Sequence, residues 1–151
     1  MLWKFFHDLL PTQSRLHRIT RTTPDPTCIY CDTGDEDHAW SHTFHSCPSS
    51  KPVMDWLVET LTLVPIPEVT IESALWLQFS PLTPENDLLA AVWLVGEAMT
   101  YSWSRRRNRE VSSIPSLIAI LRTKAFHMSL TKRHCHTGKQ LCELLNNVIL
   151  T

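Results

Sequence analysis

Four residues between positions 28 and 47 combine the side chains and the spacing of a metal site. The stretch CIYCDTGDEDHAWSHTFHSC places two residues between Cys28 and Cys31, and four residues between His42 and Cys47. Structural zinc ions are held in a tetrahedron by four thiolate or imidazole ligands. A Cys-x2-Cys pair supplies two thiolates from one tight turn, and a second close pair from a later turn or helix start completes the set. This spacing predicts a structural zinc ion, Zn²⁺.

The spacing alone leaves open which histidine binds the ion. His38, His42 and His45 all follow the cysteine pair closely. His45 is only two positions from Cys47, an awkward spacing for two ligands of one ion. His38 and His42 are four positions apart and could share a helix face, whereas a turn between His42 and Cys47 would bring both side chains back to one point. Without a metal, the cysteines would be buried apolar side chains or reactive thiols; the combined pattern favours the metal.

Helices separated by prolines must position these ligands. The chain has 151 residues, of which 43% are apolar, ten are proline and three are glycine. Apolar side chains recur at helical spacing near residues 2–10, 14–20, 50–63, 70–79, 84–109, 115–130 and 137–149. We predict a mostly α-helical domain, stapled by a Cys-Cys-His-Cys zinc site. A zinc-binding module over residues 1–63 would pack with a helical extension over residues 64–151 as one compact unit.

The helices after residue 64 are predicted in more detail. The segment 84–109 is apolar on nearly all sides, which predicts the central buried helix, with Pro84 at its first position. Phe126 is predicted to lie in the core. Thr137 and Gln140 have the spacing of a capping box, which places the start of the last helix at Thr137.

The residues before the cysteines carry a resemblance to a known family. An aromatic-led segment from Trp3 is followed by a Leu-Pro-Thr turn and an Arg-Leu-His-Arg helix. Together with the Cys-Cys-His-Cys pattern, residues 2 to about 60 resemble the zinc-binding region that follows the reverse transcriptase domain in LINE-type (non-LTR) retrotransposons. The hydrophobic helix that ends the family's pattern is matched here by Val53, Trp56 and Leu57. Further on, the run from Trp103 to Asn108 is similar to a tryptophan and arginine–asparagine pairing seen downstream in such proteins.

This resemblance implies both a ligand set and a role. The ligands would be Cys28, Cys31, His42 and Cys47. The chain would be a part of a retrotransposon-derived reverse transcriptase protein that binds RNA or DNA. An upstream reverse transcriptase domain or another retroelement protein would be a further partner.

The charges of the chain are distributed unevenly, although the net charge is −1. Residues 1–24 carry four basic side chains against one acidic, residues 25–97 carry twelve acidic against one basic, and residues 98–151 carry nine basic against two acidic. Such a distribution suits a basic face for an anionic partner, or two charge sets that face each other within the fold. The predicted phosphate contacts are Arg15, Arg18, Arg21, Arg105, Arg106, Arg107 and Arg109. Their alternative roles are a solvated helix face and complements of the helix dipole.

Catalysis is not predicted. The sequence has no phosphate-cradling glycine loop, no Ser-His-Asp context and no paired-aspartate polymerase motif. A zinc site with four protein ligands also leaves no position for a reacting water. We therefore predict a non-catalytic, zinc-dependent nucleic-acid-binding module. The alternatives are a protein-interaction or scaffolding remnant that keeps the zinc fold, and a hydrolase whose activity depends on Glu36.

The start of the chain predicts a reducing compartment. Its short apolar run is interrupted by Lys4, His7 and Asp8, unlike the apolar core of a secretory signal. Free cysteines are typical of the nucleus or the cytoplasm. No run approaches the roughly 18 apolar residues of a membrane span, so no membrane partner is expected.

Overall fold

Helices make up most of the chain wherever the structure describes it. A computed structural model describes residues 12–20, 27–31, 40–64, 66 and 68–148. They form α1 (Gln13–Thr20), a π-helical turn (Trp40–Ser46), α2 (Lys51–Thr62), α3 (Ile71–Leu75), α4 (Glu85–Arg107), α5 (Ile114–Ser129) and α6 (Cys135–Asn147). These ranges contain no strand, and the predicted mostly α-helical class is confirmed. The helix predicted for residues 2–10 lies outside them.

The long helix α4 begins and ends as its sequence favours. Pro84 is its N-cap residue, and Glu85 and Asp87 lie in its first turn, whereas three arginines lie in its last turn. Acidic side chains near the N-terminus and basic ones near the C-terminus both complement the helix dipole. One face is buried in the core, and it comprises Ala90, Ala91, Leu94, Val95, Ala98, Met99, Tyr101, Ser102 and Arg106. Leu89 is 49% exposed, so α4 is buried along one face and not on all sides.

Two helices end at a non-glycine residue in the left-handed conformation. Leu77 follows α3 with φ 55°, and Arg109 follows α4 with φ 56°. In each case the N–H of this residue and that of the following residue donate to carbonyls of the last turn. Leu77 N donates to Ala74 O (3.1 Å), and Arg109 N donates to Arg106 O (3.1 Å). Termination at Leu77 explains why α3 is shorter than the predicted segment 70–79.

A continuous apolar core joins the helices. It contains Phe44 from the π-helical turn together with buried side chains of α2, α3, α4, α5 and α6. The buried stripe of α2 includes the predicted Val53, Trp56 and Leu57. The core therefore connects the segment that carries the candidate ligands with the C-terminal helices. No described helix is both long enough and apolar enough to cross a membrane.

The helices α5 and α6 form a tight antiparallel hairpin around Gly138. A Cβ atom placed on Gly138 would lie 2.3 Å from the backbone N of Ser129, so only glycine allows this approach. The prediction that the last helix starts with a capping box at Thr137 is wrong. The helix begins at Cys135, its N-cap His134 makes no side-chain cap, and Thr137 is buried, because the first turn of α6 packs against the end of α5.

The predicted core position of Phe126 is wrong, because this residue lies on the exposed face of α5. Phe126 is 56% exposed, whereas Leu117, Ile118, Leu121 and Ala125 form the buried face of the helix. At 100° per residue, Phe126 points away from the stripe that those four residues define. Its apolar character alone led to the wrong prediction.

Candidate metal centre

Two short segments present the four candidate ligands. Cys28 comes directly before the turn at residues 29–31, and Cys31 is the last residue of that turn. His42 lies in the π-helical turn that ends just before Cys47. The N–H of Cys47 donates to the carbonyl of His42 over 2.8 Å, a hydrogen bond between residues five apart. Such an i to i+5 hydrogen bond is characteristic of a π-helix. It explains why the side chains of His42 and Cys47 lie close together although four residues separate them.

Helix α2 anchors the π-helical turn. The hydroxyl of Ser50 donates to the carbonyl of Thr43, and the N–H of Lys51 donates to the carbonyl of Cys47 over 2.9 Å. Ser50 is the N-cap residue of α2, but its side chain makes no cap bond to that helix. The hydroxyl instead fixes the preceding turn, which holds Cys47 against the core.

The four ligand atoms form a cluster of the size that one metal ion needs. All lie within 4.8 Å of one another. Cys28 Sγ is 3.7 Å from Cys47 Sγ, and Cys31 Sγ is 3.5 Å from His42 Nε2. A tetrahedral zinc with bonds of about 2.3 Å to sulfur and about 2.0–2.1 Å to nitrogen requires about 3.8 Å between sulfurs and about 3.6 Å between sulfur and nitrogen. The group Cys28, Cys31, His42 and Cys47 could therefore hold a metal ion.

Burial separates one ligand from the other three. Cys28 and Cys47 are fully buried and His42 is 8% exposed, whereas Cys31 is half-buried. The second ring nitrogen of His42, Nδ1, lies 3.5 Å from Ser46 Oγ. Because a ligating histidine commonly directs its other ring N–H to a nearby acceptor, this arrangement leaves Nε2 for the ion. His38 and Glu36 lie outside the described residues.

The buried thiols differ in how readily they ionise. Burial raises the pKa of Cys47 to about 12, and the neighbouring Cys28 and Cys31 add to that rise. Burial also raises the pKa of Cys28, but the His42 ring, the Tyr30 N–H and Arg106 together outweigh it, so its pKa falls below the ordinary value. Cys28 is therefore the easier of the two to ionise, and Cys47 must lose a tightly held proton before it can bind a metal.

Arg106 is part of this centre and not of the surface. It is 8% exposed, and its Nη2 lies 3.2 Å from Cys28 Sγ while its Nη1 lies 3.5 Å from Cys47 Sγ. The structure corrects its prediction as a phosphate contact, because its guanidinium points at the sulfurs. The spacing pattern could not reveal this contact, since Cys28 and Arg106 are 78 positions apart. The one local hint was an arginine density greater than a helix end needs.

Tyr30 holds the end of α4 against the cysteine turn. Its ring lies 5.4 Å from the guanidinium carbon of Arg106, a cation–π distance. Its hydroxyl is 3.3 Å from the carbonyls of Arg105 and Arg106, in the last turn of α4, and from the carbonyl of Glu110, just after the helix. Burial raises the pKa of Tyr30, against the opposing charge of Arg106, so the hydroxyl stays a donor.

The other arginines predicted to bind nucleic acid have different surroundings. Arg105 pairs with Glu110, and its guanidinium carbon lies 5.1 Å from the ring centre of Tyr101. Arg107, Arg109 and Arg18 are exposed. The side chain of Arg15 and the whole of Arg21 lie outside the described part of the chain.

An open cavity of about 320 Å³ lies beside the exposed Arg107. Its described lining is one face of the last turns of α4, with Thr100, Trp103, Ser104, Arg107 and Asn108. Trp103 packs partly against the core, so its position is fixed while part of it stays accessible. A tryptophan, an arginine and three residues with an amide or hydroxyl group therefore line one space.

Comparison of the chain with models of known protein families, with curated proteins and with solved structures found no match.

Proposed function

We propose that the chain is a non-catalytic, zinc-dependent nucleic-acid-binding module of a retrotransposon-derived reverse transcriptase protein. The observation that carries this proposal is a four-ligand cluster packed directly against the arginine-rich end of α4. Zinc is the ion that a closed set of three sulfurs and one imidazole suits best. The ion would be structural, because all four positions of the tetrahedron belong to the protein.

The nucleic-acid part of the proposal rests on the exposed end of α4. Arg107 and Arg109 are exposed there, and the cavity beside Arg107 contains Trp103. Positive side chains contact phosphates without regard to sequence, and aromatic rings stack with unpaired bases. Such a surface suits a single-stranded RNA or DNA segment better than a protein groove, which would call for a larger apolar patch.

The wider setting of the module is proposed on the sequence resemblance. An upstream reverse transcriptase domain or another retroelement protein would be its partner. The protein would work in the nucleus or the cytoplasm, because thiolate ligands persist in a reducing compartment.

A protein-interaction or scaffolding role is the second candidate, and one observation favours it. Arg105 is paired with Glu110, and Arg106 is buried on the sulfurs. Half of the arginine cluster at 105–109 thus serves the fold itself. On this alternative the remaining two arginines are only a solvated helix end.

Binding of a single-stranded oligonucleotide separates the two candidates. We would measure fluorescence anisotropy of labelled RNA and DNA 20-mers with the zinc-loaded chain at rising salt. The double variant Arg107→Gln/Arg109→Gln should weaken binding at low salt by about tenfold or more, and should flatten the plot of log K against log salt by about 1.4, since each single-strand phosphate contact contributes about 0.7. Lys132→Gln/Arg133→Gln removes the same charge from exposed residues of the α5–α6 loop and is the matched control.

Three results of this experiment have distinct meanings. Loss confined to the α4 variant supports the nucleic-acid surface at Arg107. Equal loss in both double variants would mean that only net charge attracts the oligonucleotide, and that α4 is not a specific surface. No binding by the unchanged chain at low salt would contradict the proposed function and favour the scaffolding role.

A further inference from the structure

The proposed metal centre would be negatively charged without Arg106. Three thiolates and one divalent cation leave one negative charge on the group Cys28, Cys31, His42 and Cys47. Two of the sulfurs are fully buried. An uncompensated charge in such a place is costly, because the low dielectric of the interior weakly screens it.

Arg106 supplies one positive charge at the buried side of the centre. Its guanidinium lies 3.2 Å from Cys28 Sγ and 3.5 Å from Cys47 Sγ, the two sulfurs that are fully buried. The guanidinium is protonated at any pH that proteins meet and has no acceptor atoms. It therefore suits a thiolate far better than a neutral thiol.

The guanidinium is fixed on both sides. The helix α4 ends one residue after Arg106, and a hydrogen-bonded left-handed turn at Arg109 follows it. The Tyr30 ring covers the guanidinium from the cysteine turn. The adjacent arginines take no part: Arg105 pairs with Glu110, and Arg107 is exposed.

We propose that Arg106 is a positioning residue that provides the fixed counter-charge of the three-thiolate centre, and that it thereby links metal binding to the docking of the α4 end. This inference rests on the metal part of the proposed function and not on nucleic-acid binding. A bound ion makes the sulfurs permanently anionic, so it strengthens their hold on Arg106. The arginine-bearing end of α4 is therefore held most firmly when the metal is bound.

Zinc affinity of four full-length chains tests the counter-charge. Competition with a chromophoric chelator would give the Zn²⁺ dissociation constant of the unchanged chain, Arg106→Gln, Arg106→Lys and Arg107→Gln. Loss of a residue that hydrogen-bonds to a metal's ligands commonly lowers the metal affinity by about 10–100-fold, and we expect a loss of this size for Arg106→Gln. Arg106→Lys keeps the charge and should lose less. Arg107→Gln removes an exposed charge, and this variant should bind zinc as the unchanged chain does.

A change of one ligand distinguishes charge from packing. Cys31 is the half-buried ligand, and Cys31→His would turn the centre into a neutral two-cysteine, two-histidine site, which zinc also accepts. In this background Arg106→Gln should cost less than about threefold in zinc affinity, because no negative charge is left to offset. The thiolate-to-metal absorption of the Co²⁺-loaded chains would confirm three sulfur ligands in one background and two in the other.

The outcomes either support or overturn the counter-charge. A large loss in the three-thiolate background that shrinks in the neutral background supports it. An equal loss in both backgrounds would show that Arg106 acts only by packing. An Arg106→Gln chain that binds zinc within about twofold of the unchanged chain would also overturn it. If Arg106→Gln does not fold, Arg106→Met, which also removes the charge but keeps an unbranched side chain of similar length, decides in the same way in the two backgrounds. If the counter-charge is overturned but the unchanged chain still binds zinc, the proposed zinc site is unaffected.

Discussion

Two regions of the molecule, the metal centre and the α5–α6 hairpin, are stabilised by different kinds of interaction. The metal centre, formed by residues 27–31, the π-helical turn and the end of α4, is built from turns, sulfur atoms and one buried arginine. The α5–α6 hairpin is built from two regular helices that bury Leu117, Leu121, Leu141 and Leu145. The first relies on a few directional contacts and the second on apolar area. This contrast implies that a mutation can weaken one of the two regions and spare the other.

Loss of a buried ligand should have the largest effect, and only at the metal centre. Cys47→Ser replaces a thiolate that zinc binds strongly with a hydroxyl that it binds weakly. A structural zinc contributes on the order of 10–16 kcal/mol at neutral pH, and the variant should lose a large part of this. We expect limited proteolysis to open residues 27–47 while most of the helical circular-dichroism signal survives. Cleavage within the hairpin at the same rate would contradict the independence of the two regions.

A methyl group at Gly138 should weaken the hairpin and spare the metal centre. The new Cβ would meet the backbone of Met128 and Ser129, which cannot move aside as a side chain can. Overpacking of this kind costs about 1–3 kcal/mol, measurable by urea unfolding. Lys139→Ala at the next, exposed position is the control. Zinc affinity should stay unchanged in both variants. A fall in the zinc affinity of Gly138→Ala would show that the hairpin and the metal centre are coupled.

The pH dependence of the metal-free chain should also arise at the metal centre. Burial raises the pKa of Cys47 from 9.0 to about 12, so the folded state holds this proton more tightly than the unfolded chain does. The associated stability is present below about pH 9 and is lost as the pH rises toward 12. The lowered pKa of Cys28 acts in the opposite direction and over a lower range.

Unfolding curves with a chelator and with zinc would show this dependence. With the chelator present, stability should fall between pH 9 and 11. In the zinc-loaded chain, Cys47 is already ionised and the fall should disappear. The affinity for zinc should rise with pH over the neutral range, because protons leave as the ion binds. A stability of the metal-free chain that is flat over pH 9–11 would contradict the burial of the Cys47 thiol.

The smallest expected effect is at Arg109, where fold and proposed function make opposite demands. Its left-handed conformation, φ 56°, costs a residue with a Cβ about 1 kcal/mol that glycine avoids. Arg109→Gly should therefore raise the free energy of unfolding by up to about 1 kcal/mol. The same change should weaken oligonucleotide binding, since it removes an exposed charge. Arg109→Lys, which keeps both the Cβ and the charge, should change neither quantity much.

The candidate ligands could be predicted from the sequence because they lie close together in the chain. Cys28 and Cys47 are 19 positions apart, and their types and spacing alone indicated the site. The long helices were also predictable, since their apolar periodicity and prolines lie within each segment. The choice between His42 and His38 needed more, because only the π-helical closure shows His42 Nε2 beside Cys31 Sγ.

The contacts between distant segments could not be read from the sequence. The arginine density at the end of α4 predicts phosphate contacts for Arg106 as for its neighbours, yet Arg106 lies on the buried face of the helix and points at the sulfurs of Cys28 and Cys47. Thr137 was assigned to a helix cap because its spacing to Gln140 fits one, but the close approach at Gly138 places Thr137 inside the helix. In both cases tertiary packing overrode the prediction that the local sequence favoured.

Metal content is the measurement that tests the central claim most directly. The unchanged chain and His42→Ala would be purified without added zinc and examined by elemental analysis. His45→Ala, an exposed histidine on the same turn, is the matched control. We predict one zinc per chain in the unchanged protein and in His45→Ala, and a loss of zinc in His42→Ala. A folded, unchanged chain that contains no zinc and takes up none when it is supplied would contradict the metal centre.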